Sequence, residues 1–197
     1  MFISFEGLDG SGKTTQVQLL ADALVAEGRE VTRVREPGGT PAGERIRDLL
    51  LDPAAEIGSW TEALLYAAAR AQLVEKVIRP ALDRGEVVIA DRYIDSSLAY
   101  QGTARGLGID EVMNVNMSAT GGLLPDRTIL LELDWANAGR RVGHEPDRIE
   151  RESDAFHDAV ARGFREAAER YPERVVRISA SGSREQVAER VRELVPA

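Results

Sequence analysis

Short apolar runs alternate with longer amphipathic stretches along most of the chain. Phe2–Glu6 is apolar but for Ser4 and the terminal Glu6 and runs into glycines, which predicts a buried strand. Lys13–Glu27 carries Val17, Leu20, Leu24 and Val25 at helical spacing and meets Gly28, a stop signal, so it predicts a helix. Val31–Arg35 predicts a second strand, and Pro41–Leu51 a short helix with Pro41 in its first turn. Trp60–Arg84 predicts a long helix, bent or interrupted near Pro80. Glu86–Ala90 predicts a third strand, Thr128–Leu133 a fourth and Val175–Ile178 a fifth. Helices are predicted over Ser96–Ala104, Asp110–Thr120, Ser153–Tyr171 and Ser183–Leu194.

Strands separated by helices imply right-handed crossovers and a parallel sheet, an α/β fold. The length of 197 residues suits one domain spanning residues 1–197. Ligands of such sheets bind beyond the carboxyl ends of the strands. The informative loops therefore follow Glu6, Arg35, Ala90 and Leu133, and these loops carry the polar motifs.

Composition narrows the function classes. With 43% hydrophobic and 29% charged residues the balance is that of a globular protein. No apolar run approaches a membrane span, and no basic segment precedes an apolar stretch as in a signal peptide. The absence of cysteine excludes disulfides, thiolate metal sites and cysteine nucleophiles, and the expected location is the cytoplasm. A net charge of −8 argues against a nucleic-acid partner, yet leaves room for a local arginine cluster on a phosphate. Of 25 basic residues only Lys13 and Lys76 are lysine, which makes the place of Lys13 informative.

Gly7-Leu8-Asp9-Gly10-Ser11-Gly12-Lys13-Thr14 matches the phosphate-loop pattern G-x-x-x-x-G-K-S/T, between a predicted strand and a predicted helix. Its glycines let backbone N–H groups turn toward phosphate oxygens, and the helix start adds free N–H groups and a positive dipole end. Lys13 is placed to reach the β- and γ-phosphates of ATP, Thr14 to ligate Mg²⁺, and Thr15 to flank the same phosphates. Asp91 at the end of the third strand is a second metal-holding candidate, and Arg92 beside it a bridge between donor and acceptor phosphates. Residues 139–150, charged and with glycines and a proline, predict a short lid whose Arg140, Arg141 and Arg148 are candidates for the ATP phosphates.

Three separate signatures then resemble the thymidylate kinases. They are the phosphate loop preceded by Glu6, the run Arg35-Glu36-Pro37-Gly38-Gly39-Thr40 with Gly43, Glu44, Ile46 and Arg47 after it, and Asp91-Arg92-Tyr93-Ile94-Asp95-Ser96-Ser97-Leu98-Ala99-Tyr100-Gln101-Gly102. Asp147-Arg148-Ile149-Glu150 is similar to the family's lid end. The resemblance is to the bacterial type, since no extra basic residue lies between the loop glycines. It implies a P-loop NTPase-type three-layer fold with a five-stranded parallel sheet in the order 2-3-1-4-5, a homodimer, and transfer of phosphate from ATP to dTMP with Mg²⁺. It further implies that Arg47 and Arg92 clamp the dTMP phosphate and that Tyr66 stacks on thymine. Arg70 would bond O4, Ser97 and Gln101 would read the N3–O4 edge, and Tyr100 would crowd a ribose 2′-OH. Glu36 would belong to the substrate loop, Pro37 would form a wall near the 5-methyl, and Asp9, a catalytic residue, would lie near the sugar 3′-OH and the metal. Ala69 and Leu73 stand where the family more often has Asp and His.

The phosphate loop alone leaves open a kinase for another nucleoside monophosphate or a small metabolite. A GTPase switch would carry N-K-x-D, which neither Lys13 nor Lys76 provides. A nucleotide sensor without turnover would have no need of Asp91-Arg92 or a lid.

Overall fold

A computed structural model describes residues 1–133 and 146–195. Five strands, β1 (Phe2–Glu6), β2 (Val31–Arg35), β3 (Val87–Asp91), β4 (Arg127–Glu132) and β5 (Val175–Ser179), form one sheet in the order β2-β3-β1-β4-β5. All four pairings are parallel. The helices are α1 (Lys13–Ala26), α2 (Pro41–Leu51), α3 (Ser59–Leu73), α4 (Arg79–Asp83), α5 (Ile94–Ser97), α6 (Ile109–Thr120), α7 (Asp154–Arg170) and α8 (Arg184–Arg192).

The two-residue repeat of a strand divides the core between the sheet's faces. Phe2, Val88 and Ala90 pack with Leu73, Ile78, Ile94 and Leu98 in one cluster. Ile3, Phe5, Val87 and Ile89 pack with Val17, Leu20 and Leu24 of α1 and Val187 and Val191 of α8 in another. Full burial of such side chains is worth roughly 1.5–3 kcal/mol each. Several helix starts are fixed by side chains. Thr40 caps α2 by accepting from Gly43 N at 3.0 Å, Ser153 caps α7, and Ser183 with Gln186 forms a reciprocal cap on α8.

Two predicted helices differ from the sequence reading. The 60–84 stretch is interrupted near Pro80 as predicted, but the interruption takes the form of a π-helix over Val74–Ile78, just before the proline. Pro80 lacks an N–H and crowds the carbonyl one turn earlier, and a wider turn relieves that conflict. The 96–104 helix begins earlier, at Ile94, and becomes a π-helix over Leu98–Ala104, the segment that carries Tyr100 and Gln101. Leu73 is fully buried in the core and Ala69 nearly so, so both departures from the family pattern fill apolar space.

The Leu98–Ala104 π-helix packs against α7 at Gly163. A Cβ there would lie 2.8 Å from Ala99 Cα and 2.8 Å from Thr103 Oγ1. Gly163→Val should therefore push this turn away from α7, lowering stability by about 1–3 kcal/mol. Urea unfolding measured against Gly163→Ala tests it, with the larger side chain expected to cost more.

Candidate active site

The carboxyl ends of β1, β2 and β3 open onto one cavity of about 1570 Å³. It is lined by Gly10, Gly12, Lys13, Thr14 and Thr15 at one part and by Pro37, Arg47, Tyr66, Arg70, Ser97 and Gln101 at another. Asp9, Asp91, Arg92 and Tyr100 line it too.

Gly7, Gly10 and Gly12 all have positive φ, of 136°, 76° and 95°. Gly7 is also sterically fixed, because a Cβ would come within 2.5 Å of Leu131 O. Lys13 Nζ donates to Gly7 O at 3.0 Å and Leu8 O at 2.8 Å, and lies 3.9 Å from Asp9. Burial, and then the nearby Arg92 charge, pull the Lys13 ammonium down to about 8. The negative charge of a bound phosphate would offset both effects. Ser11 Oγ is buried in the loop with no hydrogen-bond partner, a polar atom that a ligand oxygen would satisfy. Leu8 contributes backbone only, since its side chain lies in the core.

Thr14 Oγ1 donates to Asp91 Oδ2 at 2.6 Å, so hydroxyl and carboxylate oxygens meet at the loop's mouth. Two hard oxygens suit Mg²⁺, which takes few protein ligands and fills its shell with water and phosphate oxygens. Among the described residues no group of three or more His, Cys, Asp or Glu that could hold a metal ion occurs.

Arg92 is the centre of the polar network. It is the one non-glycine residue with positive φ, 74°, among those described. Such a backbone costs free energy and persists where surroundings fix it; here Arg92 N donates to Phe5 O at 3.0 Å. Its guanidinium donates to Asp9 Oδ1 at 2.6 Å, Ser96 Oγ at 2.9 Å and Gly7 O at 3.1 Å. Tyr100 OH donates to the other Asp9 oxygen at 3.2 Å, with Arg92 over its ring. Burial would raise Asp9, but Arg92 and Lys13 outweigh it and hold the carboxyl well below the usual range.

Glu6 supports this arrangement from below, accepting from Tyr93 N at 2.8 Å and Ser96 Oγ at 2.6 Å. Burial and the Asp95 charge raise its carboxyl from 4.5 to about 8. The native state then holds a proton that the unfolded chain releases, so this contribution is full below pH 4.5 and fades up to pH 8. Glu6→Gln should flatten the fall of unfolding free energy across that window, measured by denaturant titrations at several pH values.

On the other side of the cavity, Arg47 donates to Pro37 O at 2.9 Å. Burial and Arg35 lower its guanidinium, so an incoming dianion would be welcome there. Arg35 itself pairs with Glu44, and the Glu36–Pro37 peptide is cis. Tyr66 is half-buried at the cavity wall, and burial raises its phenol. Arg70 is fully buried and every nitrogen has a protein acceptor. Nε donates to Glu36 at 2.8 Å, Nη1 to Ser97 Oγ at 3.0 Å and to Asn116, and Nη2 to Tyr93 O at 3.0 Å. A base carbonyl would share a donor already in use. Burial raises the Glu36 carboxyl against the pull of Arg70, and its second oxygen is buried without a partner.

The predicted lid starts outside the described residues, and Arg140 and Arg141 with it. Arg148 is described and donates to Leu50 O at 2.8 Å and Glu62 at 2.7 Å, contacts away from the phosphate loop. The sequence reading omitted Glu62 and Asn116. Glu62 shared the spacing of Tyr66 and Arg70, four residues apart on one helix, and that periodicity was a usable signal. Asn116 had none, being brought to Arg70 by the fold.

A sequence model described as thymidylate kinase matches residues 5–191. The chain belongs to the thymidylate kinase family. Among its relatives, a thymidylate kinase of Symbiobacterium thermophilum is 51% identical over 99% of this chain and 92% of that protein. One of Deinococcus radiodurans is 49% identical over 92% of this chain and 89% of that protein. The crystal structure of thymidylate kinase from Ehrlichia chaffeensis superposes with a TM-score of 0.81 at 33% identity, covering 98% of this chain and 97% of that one. As a family member, the chain is a nucleoside monophosphate kinase by class, and its five-stranded order is the one the resemblance implied.

Proposed function

We propose that the protein transfers the γ-phosphoryl group of Mg–ATP to the phosphate of dTMP, giving ADP and dTDP. The observation that carries this is the shared cavity. Phosphate-loop residues and the Tyr66–Gln101 wall line one space, with Arg92 and Asp9 also lining it. Two nucleotides meeting end to end would bring their phosphates together at Arg92.

The acceptor phosphate is ionised near neutral pH, so the protein needs no strong general base. It contributes position and charge. Lys13 and the loop amides hold the donor phosphates, and Arg47 and Arg92 hold the acceptor. Thr14 and Asp91 would hold Mg²⁺, which would supply charge neutralisation to the donor phosphates. Tyr66 offers its ring to the thymine, and Ser97, Gln101 and Arg70 its polar surroundings. Tyr100, pinned between Asp9 and Arg92, faces the sugar. The lid arginines Arg140 and Arg141 complete the donor side, while Arg148 acts from the base side through Glu62.

The protein works as one domain, as a homodimer and in the cytoplasm. Leu49, Trp60 and Leu64 on α2 and α3 are 47%, 44% and 53% exposed, an apolar surface suited to a second copy. No helix among the described residues is long and apolar enough to cross a membrane. ADP release with dTMP, dUMP, UMP and AMP tests the activity. dTMP should lead, and preference for AMP or no turnover at all would refute the proposal.

A further inference from the structure

Glu62 has no exposed surface, yet three side chains converge on it. Its Oε1 accepts from Gln101 Nε2 at 2.9 Å and Arg105 Nε at 3.2 Å. Its Oε2 accepts from Arg105 Nη2 at 3.1 Å and Arg148 Nη2 at 2.7 Å. These bonds fill the acceptor positions of a carboxylate. Burial opposes its ionisation, but Arg105, Gln101 and Arg148 together keep the carboxyl below its usual range. Arg105 is further tied to Glu152 at 2.6 Å.

The two ends of a glutamine amide have nearly the same shape, so packing alone rarely fixes which way it points. Here the partner's chemistry fixes it. An ionised carboxylate only accepts, so the –NH₂ end of Gln101 must face Glu62. Gln101 Oε1 is therefore turned away, and no hydrogen bond to it is formed among the described residues. The side chain is nearly buried and lines the cavity beside Tyr66, Arg70 and Ser97.

We propose that Glu62 is a positioning residue that sets base specificity, locking Gln101 with its carbonyl oxygen toward the base. Resting on the thymidylate reading above, this makes Oε1 an acceptor for a ring N–H that lies beside a carbonyl, as at N3 and O4 of thymine. Cytosine presents a bare N3 at the same place. Two acceptors would then face each other at a buried side chain, which a hydrogen-bonding pocket rejects strongly.

Glu62→Gln keeps the shape but adds a donor. Its oxygen keeps the bonds from Arg105 Nη2 and Arg148 Nη2 and its –NH₂ faces Gln101, giving up the longer bond from Arg105 Nε, and Gln101 turns its own –NH₂ to the base. The ratio of kcat/KM for dTMP over dCMP should fall about 10- to 100-fold, mainly through the KM for dTMP, with kcat changed little. In a Gln101→Met background the same substitution should leave that ratio unchanged, whereas a purely structural role would lower both substrates alike in both backgrounds. An unaltered ratio in folded Glu62→Gln overturns the proposal. A second measurement needs no variant beyond assignment. The Gln101 side-chain amide in ¹⁵N spectra of the wild type without nucleotide should exchange slowly and show one proton shifted downfield by the carboxylate. A freely exchanging amide would overturn the proposal even if Glu62→Gln failed to fold. Should the wild type not phosphorylate dTMP, the activity reading fails, while the amide spectrum still decides the orientation.

Discussion

Arg92→Ala is expected to lower kcat by about 10²–10³-fold while changing ATP affinity by a small factor. The side chain meets the phosphate loop at Gly7 O and the Asp9 carboxylate and otherwise binds Ser96 and Tyr100, so its loss removes none of the loop amides or the Lys13 ammonium that face a donor phosphate. On the proposed reaction, what disappears is a fork at the place where charge would spread during transfer. Arg92→Lys should recover little, because an ammonium cannot reproduce the fork that spans Asp9, Ser96 and Gly7. Pre-steady-state kinetics, which separate transfer from product release, provide the readout. A near-normal transfer rate in Arg92→Ala would remove this residue from the catalytic group.

Lys13→Ala should have a larger effect on kcat/KM, roughly 10³-fold or more, with loss of both nucleotide affinity and turnover. Its effect on stability should go the other way. Lys13 is held in the folded chain with its ammonium depressed from 10.5 to about 8, so the charged form is destabilised by folding. Below pH 8 the native state carries this cost in full; as pH rises from 8 to 10.5 the unfolded chain binds more protons than the native, and stability rises. Alanine removes the buried charge and with it that pH dependence. Nucleotide-free Lys13→Ala should thus melt no lower than wild type at pH 7 while being nearly inactive. Calorimetry alongside a turnover assay checks both parts, and a protein that loses both stability and activity would mean Lys13 is chiefly structural.

The parts of this protein that were legible in its sequence are those written locally. The phosphate loop needs glycines, Lys13 and Thr14 within one turn, so its pattern is contiguous. The strand order followed from resemblance to a family rather than from periodicity, since alternation of strands and helices fixes parallelism but not which strand lies at the centre. The π-helical turns were not legible, because their wider hydrogen-bond spacing has no composition of its own. The Arg92–Asp9 bond joins residues 83 apart, and Arg148–Glu62 residues 86 apart. Such pairs come together only when β1 and β3, or α3 and the chain entering α7, are laid side by side. Arg148 illustrates the limit. Its sequence neighbours predict a place in a phosphate-binding lid, yet its guanidinium holds the buried Glu62 carboxylate.

The most direct test follows the phosphoryl group itself. Wild-type protein incubated with [γ-³²P]ATP, dTMP and Mg²⁺ should place the label in dTDP, and omission of Mg²⁺ should stop the transfer. Label released as inorganic phosphate, or carried to a different nucleotide while dTMP stays unlabelled, would contradict the account.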